Sequence, residues 1–189
     1  MLLKTNKLMK AFGGLKAINK VDFELPTNEI RGIIGPNGSG KSTFFNLVSG
    51  VYEPDPGSYI EFDGKDITNE PPHKVGELGL ARTFQLLRLY QDMSVINNVM
   101  SGYHTLVPYN FIDAVTGRKK IWDQEKVIKE EMMELLSFVG LADYAELNAS
   151  ELSGGQRRLL VLARAIAGKP KLLMFCLLYT SDAADEEAS

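Results

Sequence analysis

The chain has a single cysteine in 189 residues, with two histidines and one tryptophan. One thiol excludes an internal disulfide and any metal site built from several thiolates. There is no basic excess either: 21 Lys and Arg stand against 24 Asp and Glu, a formal net charge of −3. Without a positive footprint, nucleic acid is not an expected partner. Long apolar runs are missing too, and none approaches the roughly 18 residues that span a bilayer. The first ten residues, MLLKTNKLMK, hold no apolar stretch of signal-peptide length. These absences predict a cytosolic protein whose membrane role, if it has one, comes through a partner. What remains is ordinary globular composition, 44% hydrophobic and 24% charged, enough for a domain with a real core and room for a subdomain.

The first third reads as strands around one glycine-rich loop. Val21 to Leu25 alternates apolar and polar residues, the period of a half-buried strand. After the turn-like Pro26–Glu29, Ile30 to Ile34 predicts a short apolar strand. Tyr59 to Phe62 followed by Asp63-Gly64 predicts a strand entering a tight hairpin. Beyond residue 86 the pattern becomes helical. Ile128, Met132, Leu135, Leu136 and Val139 fall at helical spacing within 121–139, with Glu and Lys between them as a solvated face. A second helix follows Ser153 and ends near Gly168-Lys-Pro170. Between these regions, residues 102–120 are rich in aromatic and turn residues and predict a loop or insertion. His73 and His104 read as surface or loop residues, and Trp122 as packing among the helices.

Two motifs carry chemistry. Gly35 to Thr43, GPNGSGKST, satisfies G-x-x-x-x-G-K-[ST] ahead of a helical segment. Gly35, Gly38 and Gly40, with Asn37 and Ser39 between them, let successive backbone N–H groups turn inward around phosphate oxygens. The N-terminus of the following helix adds partial positive charge. Lys41 reaches β- and γ-phosphates, and Ser42 places its hydroxyl on Mg²⁺, with Thr43 beside it. The second motif is LSGGQ, Leu152 to Gln156. Ser153 and Gln156 form a potential capping box, but Gly154 and Gly155 in the first helical turn weaken a helix. Bare N–H groups at a helix N-terminus suit a phosphate.

Together the phosphate loop and LSGGQ resemble the nucleotide-binding subunit of an ABC ATPase. The resemblance implies an α/β P-loop NTPase core with an antiparallel β subdomain and an α-helical subdomain, incomplete at the C-terminus. Its parts would be residues 1–87 and 158–175 as the ATP-binding core and 88–157 as the helical subdomain. It implies ATP and Mg²⁺ as cofactors and a head-to-tail dimer, in which Ser153, Gly154, Gly155 and Gln156 cap ATP held by the partner's phosphate loop. Phe12, in AFGGLKAI, matches the aromatic that stacks on adenine. Gln85, in ARTFQ, matches the Q-loop glutamine, which senses Mg²⁺ and the γ-phosphate. FGGLKAINKVDFEL, GLARTFQLLRLYQDMSVINNV and the aromatic insertion before Arg118 further resemble ATP-binding subunits of branched-chain amino acid importers. That resemblance implies a cytoplasmic subunit, peripheral on the inner face of the membrane. Its partners would be a transmembrane permease and, indirectly, a periplasmic binding protein. Those subunits often carry a tyrosine in the signature where this chain has Ser-Gly-Gly, so the cargo stays open. The alternatives are an ABC ATPase of another transporter class, or a soluble ABC protein of translation or DNA repair. The 112 positions between Lys41 and Ser153 hold no sustained heptads, which speaks against the repair and chromosome ATPases with their long coiled arms.

One element of the family pattern is absent. Lys171 to Phe175 reads as a buried strand; in the family pattern its apolar run Leu172 to Phe175 would be followed by Asp, which holds Mg²⁺ through water, and Glu, the general base. Cys176-Leu-Leu178 follows instead. Asp182 comes six residues after the required position, about 20 Å of extended chain. The tail CLLYTSDAADE resembles the translation of a transposon-end adapter used in sequencing libraries. Residues 176–189 are therefore expected to be non-native, the alternative being a natural degenerate ATPase that binds ATP but cannot hydrolyse it; on either reading the chain as it stands is expected to be incompetent in hydrolysis.

Overall fold

The computed structural model describes residues 1–83, 89–103 and 119–175. The chain divides into two compact units, Met1–Ala81 and Arg82–Ser189.

In the first unit, β1 (Leu3–Phe12) and β2 (Leu15–Leu25) form a long antiparallel hairpin. With β3 (Tyr59–Phe62) and β4 (Lys65–Asp66) they make a four-stranded sheet in the order β2-β1-β3-β4. The antiparallel subdomain expected by resemblance is this sheet. β1 was not legible as a strand, because its lysines and asparagine hide the alternation. Only Leu3, Thr5 and Leu8 are buried, and register shifts fall between Thr5 and Leu8 and again before Ala11. A bulge of this kind breaks the period-2 pattern that sequence reading relies on. Asp63 (φ 50°) and Gly64 (φ 77°) turn the chain between β3 and β4 as the Asp-Gly pair predicts.

Helix α1 (Lys41–Val48) packs against the sheet through Phe44, whose ring meets Phe23 of β2 edge-on at 5.2 Å. Eight residues are too few for a helix to persist alone in water. Burial of Phe44, Leu47 and Val48 supplies the missing stability. A further short helix, α2 (Pro72–Glu77), starts with proline in its first turn and buries Val75.

The apolar run 30–34 departs from expectation. It is no strand, and Ile30 and Ile34 are fully exposed. A run apolar on both faces becomes a strand only where sheet neighbours pair with it, and among the described residues none does.

The second unit is mostly helical. α3 (Val95–Tyr103), α4 (Lys119–Phe138) and α5 (Gly154–Ala167) enclose a core that includes Val95, Ile96, Val99, Met132, Leu136 and Leu160. The expected face of α4 is the buried one: Met132 and Leu136 lie in the core, and Ile128, Leu135 and Val139 pack against it. Lys126, Lys129, Glu130 and Glu134 stay exposed, as a solvated face should. Gly102 lets α3 approach α5, since a Cβ there would collide with the Arg164 carbonyl. The expected strand forms as β6 (Leu172–Phe175) and pairs with β5 (Leu80–Thr83), but only its Met174 is buried and Phe175 is exposed. Where they meet, the Thr83 hydroxyl donates to the Met174 carbonyl at 3.5 Å. Most of the 102–120 insertion and His104 lie outside the described residues; His73 is exposed. No helix among the described residues is long and apolar enough to cross a membrane.

Candidate functional site

The phosphate loop takes its shape from two local constraints. Gly38 (φ 81°) and Gly40 (φ 89°) occupy the left-handed region that side chains disfavour. Gly40 also abuts β2, where a Cβ would strike the Ala17 carbonyl and come within 2.9 Å of the Ile18 side chain. The loop end is thus fastened to β2 by a contact only glycine permits. The Pro36 carbonyl accepts the Ser39 N–H at 3.2 Å, closing a tight turn over Asn37 and Gly38.

Gly40 is the N-cap of α1, with no side-chain cap and no acidic residue in the first turn. The N-terminal N–H groups therefore keep their partial positive charge for an outside acceptor. Lys41 folds over the loop and donates to the carbonyls of Gly35 and Pro36 at 2.6 and 2.7 Å. Residues 34–39 and Ser42 are exposed, while Thr43 is half-buried. The donor set of backbone N–H groups, one ammonium and one exposed hydroxyl fits a polyphosphate with its cation and offers no acid to repel it. No cluster of three His, Cys, Asp or Glu able to hold a metal by itself occurs among the described residues.

Phe12 ends β1 opposite Leu15, at the tip of the hairpin whose β2 strand carries Ala17 and Ile18. The register places Phe12 two residues along β2 from the point where Gly40 docks. Phe12 is 44% exposed, which leaves room for a stacking partner. The ring of Tyr52 meets it edge-on at 5.4 Å, and the Lys10 ammonium lies 5.7 Å from its centroid. Neither Tyr52 nor Lys10 was singled out from sequence. Tyr52 lies 40 positions from Phe12, and nothing in the pattern links them.

LSGGQ forms a helix start in the second unit. Ser153 caps α5: its hydroxyl accepts the Gln156 N–H at 3.3 Å, and its own N–H donates to Gln156 Oε1 at 2.8 Å. The capping box read from sequence is present. Gly154 and Gly155 are exposed, and a Cβ on either would meet nothing within 4 Å. Packing within the described residues therefore gives no reason for glycine at these two positions. Gln85 lies outside the described residues, as do Cys176 and everything after it.

Comparison with known proteins matches residues 18–175 to the ABC transporter family. A probable branched-chain amino acid transport ATP-binding protein, LivG, of Archaeoglobus fulgidus is 42% identical over 177 residues, covering 92% of this chain and 66% of the relative. The high-affinity branched-chain amino acid transport ATP-binding proteins BraF of Pseudomonas aeruginosa and LivG of Escherichia coli are each 34% identical over 173 residues, covering 92% of this chain and 68% of theirs. The chain thus spans about two thirds of the length of these relatives. Among solved structures, the ADP conformation of MJ1267, an ATP-binding cassette of an ABC transporter, superposes with a TM-score of 0.74 at 33% identity, over 91% of this chain and 66% of that one. The dimeric bacterial ABC transporter cassette MJ0796 shares the fold at 20% identity and a TM-score of 0.73, over 92% of this chain and 73% of that one.

Proposed function

Because the chain belongs to the ABC transporter family and is homologous to branched-chain amino acid transport ATP-binding proteins, we propose that it is the ATP-binding subunit of such an importer. In this reading the loop Gly35 to Thr43 holds the phosphates of ATP, Lys41 turns from the loop carbonyls to the β- and γ-phosphates, and Phe12 stacks on adenine. Ser42 and Gln85 hold Mg²⁺ beside the phosphates. Ser153 to Gln156 cap the ATP of a second subunit, which explains two glycines that packing among the described residues does not require. Residues 1–87 and 158–175 act as the ATP-binding core and 88–157 as the helical subdomain. The latter faces a permease on the cytoplasmic side of the membrane, with a periplasmic binding protein delivering the amino acid.

The observation that carries this reading is the glycine-fixed start of α1, with no capping side chain and with Lys41 lying over the loop. The chain as it stands carries Cys176-Leu177 where the family places Asp-Glu. On this reading it binds Mg²⁺-ATP weakly at best and does not turn it over, since its sequence lacks the Asp-Glu pair that the family pattern places after Phe175. Titration of the purified chain with Mg²⁺-ATP tests both parts. Saturable binding that is lost in Lys41→Ala is expected, with no phosphate release. Absence of binding would overturn the nucleotide assignment, and phosphate release sensitive to Lys41→Ala would overturn the inactivity.

A further inference from the structure

β1 loses its β3 partner before it reaches Phe12, because that pairing stops at Asn6 opposite Tyr59. The loop 52–58 takes over the outer edge. The Met9 carbonyl accepts the Asp55 N–H at 2.9 Å, and the Met9 N–H donates to the Ser58 hydroxyl at 2.9 Å. The Ala11 N–H, one residue before Phe12, donates to the Asp55 carboxylate at 2.8 Å. The other carboxylate oxygen lies 3.8 Å from the Lys10 ammonium, which also donates to the Glu53 carbonyl at 2.6 Å. That fixed ammonium is the one over the Phe12 ring, and Tyr52 at the head of the same loop supplies the edge contact.

On its other side Phe12 pairs with Leu15 of β2, which is itself 70% exposed. Gly13 and Gly14 follow Phe12, with nothing among the described residues within 4 Å of either Cβ position. The direction of the ring is therefore set by the loop, and the carboxylate of Asp55 ties the loop to both the backbone and the cation.

We propose that Asp55 is the positioning residue of the nucleobase platform, holding the Phe12 ring in its stacking direction through the Ala11 N–H and the Lys10 ammonium. The inference rests on the assignment of Phe12 as the adenine-stacking ring. Asp55 is assigned no contact with the nucleotide in this proposal. Its effect falls on recognition of the base and leaves the phosphate loop untouched.

A comparison of ATP with inorganic tripolyphosphate, which has no base, separates the two. Both are titrated, with Mg²⁺, into the full chain and into Phe12→Ala, Asp55→Ala and Asp55→Asn. Phe12→Ala and Asp55→Ala are each expected to weaken ATP by about three- to tenfold, the range that loss of one aromatic contact implies, and to leave tripolyphosphate unchanged. Asp55→Asn keeps an acceptor for Ala11 but loses the charge facing Lys10, so a smaller loss confined to ATP is expected. The conservative variant decides the matter should Asp55→Ala fail to fold. Unchanged ATP binding in the Asp55 variants, or equal weakening of both ligands, overturns the proposal while leaving Phe12 in its role. Unchanged ATP binding in Phe12→Ala removes the stacking assignment itself, and the proposal with it.

Discussion

Gly40 lies so close to Ala17 that any side chain on it would overlap the Ala17 carbonyl oxygen. The contact couples the last residue of the phosphate loop to the hairpin that carries Phe12. Gly40→Ala adds this collision to a left-handed backbone, which alone costs about 1–2 kcal/mol for a residue with a side chain. Thermal unfolding of the variant should show a clear loss of stability, with nucleotide binding weakened in parallel. A variant as stable as the parent would mean that the loop moves off β2 freely.

The signature separates stability from function in a measurable way. Ser153→Ala removes the N-cap of α5 and should cost about 1 kcal/mol in denaturant unfolding. Gly155→Ala should do the opposite, raising stability by about 0.5–1 kcal/mol, because alanine favours a helix and its methyl group meets open space. If these glycines serve a second subunit's ATP, the stabilised variant should also lose nucleotide-dependent dimerisation by light scattering. Dimerisation equal to that of the parent would count against this role.

Asn98 is completely buried at the start of the helical unit. Its amide nitrogen donates to the carbonyls of Tyr90, Met93 and Ser94 at 3.0–3.1 Å, and its oxygen accepts the Tyr90 N–H at 2.9 Å. One side chain thus closes the segment that leads into α3. Asn98→Ala strands several buried backbone groups and should destabilise the chain by about 2–3 kcal/mol. Urea unfolding followed by circular dichroism measures the loss.

Asp66 should give the sheet an acid-sensitive corner. The Thr68 hydroxyl and then the Thr68 N–H both donate to its carboxylate, holding its pKa below the usual aspartate value. A folded pKa below the unfolded one means stabilisation present at neutral pH, which fades as pH falls below about 4. Thr68→Val removes the larger of the two causes. A carboxyl titration by NMR should then show the Asp66 pKa rising toward its ordinary value, with the acid dependence of stability reduced. No movement of the pKa would mean that the hydroxyl contact is not made in solution.

Sequence legibility followed the range of the interactions. The capping box of Ser153 and Gln156, the Asp63-Gly64 turn and the apolar face of α4 depend on residues within a few positions, and each appears as read. β1 was hidden because its bulges spoil the alternation. The run at 30–34 was overread, because apolar composition alone cannot supply the neighbours a strand needs. Tyr52, Lys10, Asp55 and Asn98 carried no signal, since their partners are set by tertiary contact or by burial.

The sequence by itself determined the chemistry this chain is built around. A glycine-rich loop ending in Lys41-Ser42 before a helix, and two glycines in the first turn of another, are local patterns whose meaning lies in exposed backbone N–H groups. It also determined the family, since motifs of this kind rarely arise together by chance. Only the tertiary structure decided what surrounds those patterns: Gly40 against Ala17, Asp55 on the Ala11 N–H next to Phe12, and open space among the described residues around Gly154 and Gly155. Such relations join residues far apart in the chain or depend on open space. Neither distance across a fold nor an unfilled volume is written in the order of amino acids.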